Sequence, residues 1–421
     1  RNTPWDVYAD ASVCERGGPD IVVDGILGTG FSGSLRPLEL GLVGRINALA
    51  QRAFIFSLDI PSGLSGLTGR PCPVAVRAHA TVTFEAAKPG LVLPEAAPYT
   101  GRLHIRPIGI PAVARREHPA SYQMITKAIA GAFPEAAPGW HKGAILIGGG
   151  SEGLTGAPHL AARAALRAGG GLISVAAPHG LCRDIKADCP DIMTRALGPA
   201  GNVRWSPALL EELLPFLRQC GAMALGPGIG REPETAAFVQ ALLMCPSRPS
   251  AVVDADALHA LAMHPEALSS LRACDVLTPH PGEAATLLHT TPALVQADRF
   301  AALAGLRRLA PSVWILKGAG TLIGTEGQPV TIAPYAEPNL AVGGSGDVLS
   351  GCLGTLMAQT AAHPSEGCES SSFLAACMGV HLHARAGRLL REAFPQRGNS
   401  ATDIAEMLPR ARIREAAGDG T

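Results

Sequence analysis

Aromatic side chains are scarce, only 4% of the 421 residues, while 47% are hydrophobic. A core built on large rings is thereby excluded, and aliphatic packing must take its place. The 49 glycines and 35 prolines add many turns between those aliphatic elements, which is the composition of a compact α/β enzyme. Net charge is also missing, since 35 basic residues balance 35 acidic ones. That balance removes any general electrostatic case for nucleic acid or an acidic membrane surface and leaves room for local phosphate binding. The ten cysteines are dispersed without a Cys-x-x-Cys pair, against structural zinc and for a reducing compartment. No apolar run reaches the roughly 18 residues that a bilayer span needs, and no secretory pattern is visible, so a cytoplasmic location is expected. The chain starts at Arg1 and reaches a strand-like run within about twenty residues. An initial portion of the natural polypeptide is therefore expected to be absent.

The length exceeds one ordinary core, so two domains are expected, 1–115 and 120–415. In the first, strands are expected at Ile21–Asp24, Phe54–Leu58 and Ala80–Phe84, with a helix from Leu38 to Ala53. The charged run Arg115-Arg116-Glu117-His118-Pro119 reads as an irregular linker. In the second, a helical candidate at Ile125–Ala132 leads into a repeated rhythm of strand, glycine loop and helix. Its strands are expected at Ala144–Ile147, Leu172–Ala176, Ala222–Leu225, Ala251–Val253, Val276–Leu277 and Val313–Leu316, with a helix at Pro158–Ala168. Residues 364–372 read as a loop before a helix from Phe373 to Ala393. In such parallel sheets, motifs far apart in sequence converge at the carboxyl ends of the strands.

The most informative motif is Gly343-Gly344-Ser345-Gly346-Asp347, a flexible turn and a lone carboxylate where a long apolar helix begins. Glycine allows close backbone approach, first-turn amides face an anion, and Asp347 is placed to take a proton beside it. Lys317-Gly318-Ala319-Gly320-Thr321 follows an aliphatic strand and supplies amides, a cation and a hydroxyl for a phosphate. Neither segment is the Gly-x-x-x-x-Gly-Lys-Ser/Thr P-loop. His280, between Pro279 and Pro281, is either part of a rigid connection or a donor to substrate. Asp254 and Asp256 either cap a helix or line the cleft. Gly148–Gly153 and Gly226–Gly230 add two more glycine-rich strand exits.

Taken in order, these segments resemble the C-terminal, ribokinase-like domain of the bifunctional NAD(P)H-hydrate repair enzymes over roughly residues 120–415. The resemblance implies ADP-dependent dehydration of (S)-NADHX or (S)-NADPHX, the hydrated cofactors, giving NAD(P)H, AMP and phosphate, with Mg2+ assisting. It places Lys317, Gly318, Ala319, Gly320, Thr321 and Gly346 at the nucleotide, and Ala157, Gly228, His280 and Asp347 at the hydrated cofactor, with Asp347 as base. The segments around Asp24–Gly33, Leu58–Gly63 and Lys88–Leu91 resemble the Rossmann-like epimerase domain of the same enzymes. There the resemblance implies that Gly28, Thr29, Gly30, Phe31, Ser32, Gly33, Ser34 and Asp59 bind the hydrated cofactor. Asp59 would also act as acid/base, and Asp24 with Ser62 would hold K+. The upstream Asn-Asn-Gly-Gly-Asp-Gly loop of that domain is absent from this chain, so dehydratase activity is the stronger expectation. A ribokinase-like small-molecule kinase and a non-catalytic nucleotide binder are the alternatives, and homo-oligomerisation is open.

Overall fold

A computed structural model describes residues 20–125, 133, 144–361 and 368–412, the side chains of 368–370 excepted. Two compact units divide the chain, Arg1–Ala120 and Ser121–Thr421.

In the first unit four strands, β1 (Ile21–Asp24), β2 (Phe54–Leu58), β3 (Ala80–Phe84) and β4 (Arg102–Arg106), form an all-parallel sheet in that order. The helix spans Pro37–Leu49 and stops short of the expected Ala53, because a turn after Ala50 must re-enter the sheet at Phe54. The run expected as an irregular linker is helical up to Glu117, the end of a six-residue helix, Ala112–Glu117, and irregular at His118 and Pro119. Arg115 and Arg116 lie in its last turn, where cations suit the carbonyl end, and Arg115 pairs with Glu85 at 3.1 Å.

The second unit is built on a ten-stranded sheet of β5 (Tyr122–Met124), β6 (Ala144–Gly148), β7 (Leu172–Pro178), β8 (Met193–Leu197), β9 (Ala222–Leu225), β10 (Ser250–Val253), β11 (Val276–Leu277), β12 (Val313–Leu316), β13 (Thr321–Gly324) and β14 (Val330–Ala333). Their spatial order is β5-β14-β13-β12-β11-β10-β9-β6-β7-β8, and β13 alone runs against the rest. Strands β6, β9, β11 and β12 are buried at every position, as expected for continuous aliphatic runs covered on both faces. The order reverses between β6 and β9, so their two glycine loops meet at the switch point. Gly150 N donates to Pro227 O there at 3.0 Å.

Two helices flank that point, Gly156–Arg167 and Ser345–Ala361. They approach so closely that a Cβ on Gly351 would lie 1.9 Å from Ala161 O, which only glycine avoids. The late helix begins at Cys368, inside the expected 364–372 loop, and ends at Leu389. Residues 364–367 of that loop, and 126–132 of the helix expected from Ile125, lie outside the described residues. Among the described residues no helix is long and apolar enough to cross a membrane.

Candidate active site

Three neighbouring strands, β10, β11 and β12, each deliver one polar segment at their carboxyl ends. Asp254 directly follows β10, Thr278 follows β11, and Lys317 follows β12. Their side chains converge because the strands are hydrogen-bonded neighbours in register. Lys317 Nζ lies 2.7 Å from Asp254 Oδ1 and 3.7 Å from Glu283 Oε2, and Ser350 Oγ donates to Asp254 Oδ2 at 2.5 Å. Burial pushes Asp254 up, but the Lys317 ammonium and the hydroxyls of Ser350 and Thr278 outweigh it and hold the carboxyl below its ordinary range. Burial likewise works against the Lys317 charge, and Asp254 with Glu283 more than restores it. The centre therefore keeps a fixed ion pair.

Asp347 stands in the first turn of the Ser345–Ala361 helix, next to this pair but outside it. Burial foremost, then the Asp254 charge, raises its pKa from 3.8 to about 7, against the pull of Lys317. A carboxyl poised near neutrality can take a proton and keep it through a reaction step. Gly346 sits between the two groups: a Cβ there would lie 3.6 Å from Lys317 Nζ and 3.7 Å from Asp254 Oδ2. Any ligand phosphate at the helix head thus meets amides, a cation and a protonatable carboxylate together.

The Lys317–Thr321 loop is held from behind. Arg299 donates to the carbonyls of Leu316, Lys317 and Ala319, the first two at 3.1 and 3.4 Å. Thr321 Oγ1 turns back to Gly318 O at 2.8 Å, so this hydroxyl closes the loop. His280 takes the structural role its proline-framed segment suggested. Its Nδ1 accepts from the amides of Gly282 and Glu283, capping the Pro281–Leu287 helix. Burial lowers its pKa, so the neutral ring carries its proton on Nε2, which lies 3.3 Å from Glu283 Oε1 and remains a donor. Asp256 takes the amide of Gly230 at 3.2 Å and pairs with Arg231 at 2.7 Å.

Ala157 and Gly228 are brought together, since a Cβ on Gly228 would lie 3.1 Å from Ala157 Cβ. Leu160, on the same helix as Ala157, packs beside Gly344. A cavity of about 250 Å3 opens by these loops, bounded by Ser151, Glu152, Trp205, Ile229 and Glu232. Asp254 and Ser350 escaped a firm sequence assignment; their Asp-Ala-Asp and helix-interior contexts carried no signal of a shared centre.

In the first unit, Asp59 sits at φ 65° with its carboxylate on Lys88 Nζ and 3.3 Å from Thr83 Oγ1. Gly28 faces it, a Cβ there lying 3.6 Å from Asp59 Oδ2. Thr29, Gly30 and Ser32 to Ser34 are exposed, and Phe31 is half-buried. Asp24 is fully buried and accepts from Ser57 Oγ at 2.8 Å and from Ser62 N and Oγ at 2.9 and 2.5 Å. Asp24 and Ser62, the pair expected at K+, are thus hydrogen-bonded to each other.

The family model of NAD(P)H-hydrate dehydratase matches residues 144–410, and that of the YjeF-related protein N-terminus matches residues 3–90. The bifunctional NAD(P)H-hydrate repair enzyme of Moorella thermoacetica is 40% identical over 396 residues, covering 93% of this chain and 72% of the relative. That of Escherichia coli is 32% identical over 394 residues, covering 93% and 71%. Among solved structures, a ribokinase-like superfamily protein of Enterococcus faecalis superposes with a TM-score of 0.57 at 21% identity, over 69% of this chain and 95% of that one. The ADP/ATP-dependent NAD(P)H-hydrate dehydratase of Bacillus subtilis, co-crystallised with ATP/Mg2+, gives 0.53 at 20%, over 69% and 97%. Both likenesses bear on the fold, and it is ribokinase-like. With the sheet, the poised carboxyl and both family matches in place, the chain belongs to the bifunctional NAD(P)H-hydrate repair enzymes, a YjeF-related N-terminal unit followed by a ribokinase-like dehydratase unit.

Proposed function

We propose that the Ser121–Thr421 unit dehydrates (S)-NADHX or (S)-NADPHX at the expense of ADP, releasing NAD(P)H, AMP and phosphate. The observation that carries this reading is Asp347, a carboxyl raised to about 7 at the head of a helix, beside a Lys317–Asp254 pair that cannot serve as the base. Asp347 takes the proton of the ring hydroxyl, whose oxygen attacks the β-phosphorus of ADP as the bond to AMP breaks. Hydroxide is a poor leaving group and phosphate a good one. Phosphate then departs with the C–O electron pair, and the adjacent ring carbon gives up a proton, restoring the double bond. The helix amides around Gly346 and the Lys317 ammonium stabilise the moving phosphoryl group. His280 Nε2–H, Ala157 and Gly228 would position the hydrated ring, and Lys317–Thr321 would hold the nucleotide.

Among the described residues no group of three or more His, Cys, Asp or Glu side chains is gathered for a metal. Mg2+ therefore fits as the companion of the ADP phosphates, where it supplies charge neutralisation. In the first unit Asp59, paired with Lys88, would be the acid/base of an epimerase.

Incubation with (S)-NADPHX, Mg2+ and ADP or ATP should restore reduced-nicotinamide absorbance, and Asp347→Asn should abolish that recovery. A stable phosphorylated alcohol as product would instead favour a small-molecule kinase. Tight ADP binding with no product would favour a nucleotide-binding protein.

A further inference from the structure

Ser345 and His383 are both buried, and Ser345 Oγ lies 3.1 Å from His383 Nε2. Neither belongs to the proton path or nucleotide loop described above. Ser345 opens the helix that would face the phosphoryl group, whereas His383 comes from the Cys368–Leu389 helix, 38 residues later. Burial foremost, and then the Lys317 charge, pushes the ring down to about 4, although a contact with the Ser345 backbone works the other way. At neutral pH one ring nitrogen donates and the other accepts.

The two tautomers have opposite consequences. If Nε2 accepts, Ser345 spends its only hydrogen on the ring and turns lone pairs toward an incoming anion. If Nε2 carries the proton, the ring donates to Ser345 and the hydroxyl hydrogen is left for a phosphoryl oxygen. Only the second arrangement gives the head of the Ser345–Ala361 helix a further donor for an anion, the hydroxyl hydrogen joining the first-turn amides.

We propose that His383 is a positioning residue whose Nε2–H donates to Ser345 and leaves the Ser345 hydroxyl as a hydrogen-bond donor to the phosphoryl group at the head of the Ser345–Ala361 helix. The identity of the phosphoryl donor rests on the dehydratase reading.

The test uses the full chain with (S)-NADPHX and Mg·ADP, comparing wild type, His383→Leu, His383→Gln, Ser345→Ala and the Ser345→Ala/His383→Leu double variant. His383→Leu and Ser345→Ala should each lower kcat about 10–100-fold, with KM for the hydrate nearly unchanged. The double variant should be no slower than either single one, because His383 acts only through the Ser345 hydroxyl. His383→Gln, whose amide N–H reaches the place of Nε2, should recover most of the loss. Multiplying losses in the double variant, or a folded His383→Gln as slow as His383→Leu, would overturn the proposal.

Should His383→Leu fail to fold, Ser345→Ala and His383→Gln decide the matter. A wild-type kcat in Ser345→Ala, or a folded His383→Gln as slow as Ser345→Ala, overturns it. If the wild type itself regenerates no NAD(P)H, the dehydratase reading falls, and thermal stabilisation by Mg·ADP becomes the readout. That stabilisation should then shrink in both Ser345→Ala and His383→Leu, or in Ser345→Ala alone where the latter does not fold; full retention in Ser345→Ala overturns the proposal.

Discussion

Asp347 is held in a position that costs the fold something and gives the chemistry something. Its folded-state pKa, about 7, lies above the 3.8 of a free side chain, so the native state binds that proton more tightly than the unfolded chain does. The associated stability is complete below about pH 4 and is lost as pH rises to about 7. Asp347→Asn should therefore gain up to about 4 kcal/mol over wild type at pH 8, a gap that shrinks by more than half at pH 5 and closes below about pH 4. Urea unfolding at the two pH values checks this, and an equal gap at both would refute the assigned environment. The same ionisation should govern rate, since the base must be deprotonated. Log kcat/KM should fall by about one for each pH unit below 7. His280 separates two roles that sequence left open. His280→Asn keeps a capping side chain and should fold with near wild-type stability, yet raise KM for the hydrate several-fold. His280→Ala should lose about 1 kcal/mol of stability as well. Identical behaviour of the two variants in both measurements would mean that the ring only caps.

The helices Gly156–Arg167 and Ser345–Ala361 carry Ala157 and Asp347 in their first turns, so the distance between them sets the width of the site. Gly351 fixes that distance, with Ala161 O in the place a Cβ would occupy. Gly351→Ala must push the helices apart, at a cost of about 2–4 kcal/mol by overpacking, and should lower kcat/KM at least tenfold through misplacement of Asp347. Denaturant midpoints and kinetics measured together test it, and normal turnover in a destabilised variant would uncouple packing from site geometry. This is also the scale at which the sequence was most and least legible. Runs such as Val313–Leu316 and Ala222–Leu225 announced themselves because both faces of those strands are buried. Strands β4, β8, β13 and β14 did not. The first two carry charged residues, as in Arg-Leu-His-Ile-Arg, and the last two form a short antiparallel pair next to a motif read as a loop. Asp254 was ambiguous for a related reason. Its partners Lys317 and Ser350 lie 63 and 96 residues away, and no local pattern reports a contact that only strand order creates.

At the scale of the whole chain, the division into Arg1–Ala120 and Ser121–Thr421 assigns every group of the proposed dehydratase site to one unit. Asp254, His280, Glu283, Lys317, Ser345 and Asp347 all fall beyond Ala120, and so does every main-chain segment that holds them. A ligand that binds only the native form of that unit stabilises it by RT ln(1 + [L]/Kd), about 2.7 kcal/mol at a hundredfold excess over Kd. For a unit of this size such a gain corresponds to a rise in Tm of roughly 4 °C. Differential scanning calorimetry with saturating Mg·ADP should accordingly move one transition upward by that amount and leave a second, smaller transition where it was. The enthalpies give the assignment, because unfolding enthalpy scales with length and the larger transition must belong to the longer unit. Movement of both transitions together would mean that the units unfold as one cooperative body. Movement of the smaller alone would place the nucleotide in the YjeF-related unit, against Lys317 and Gly346 as its holders.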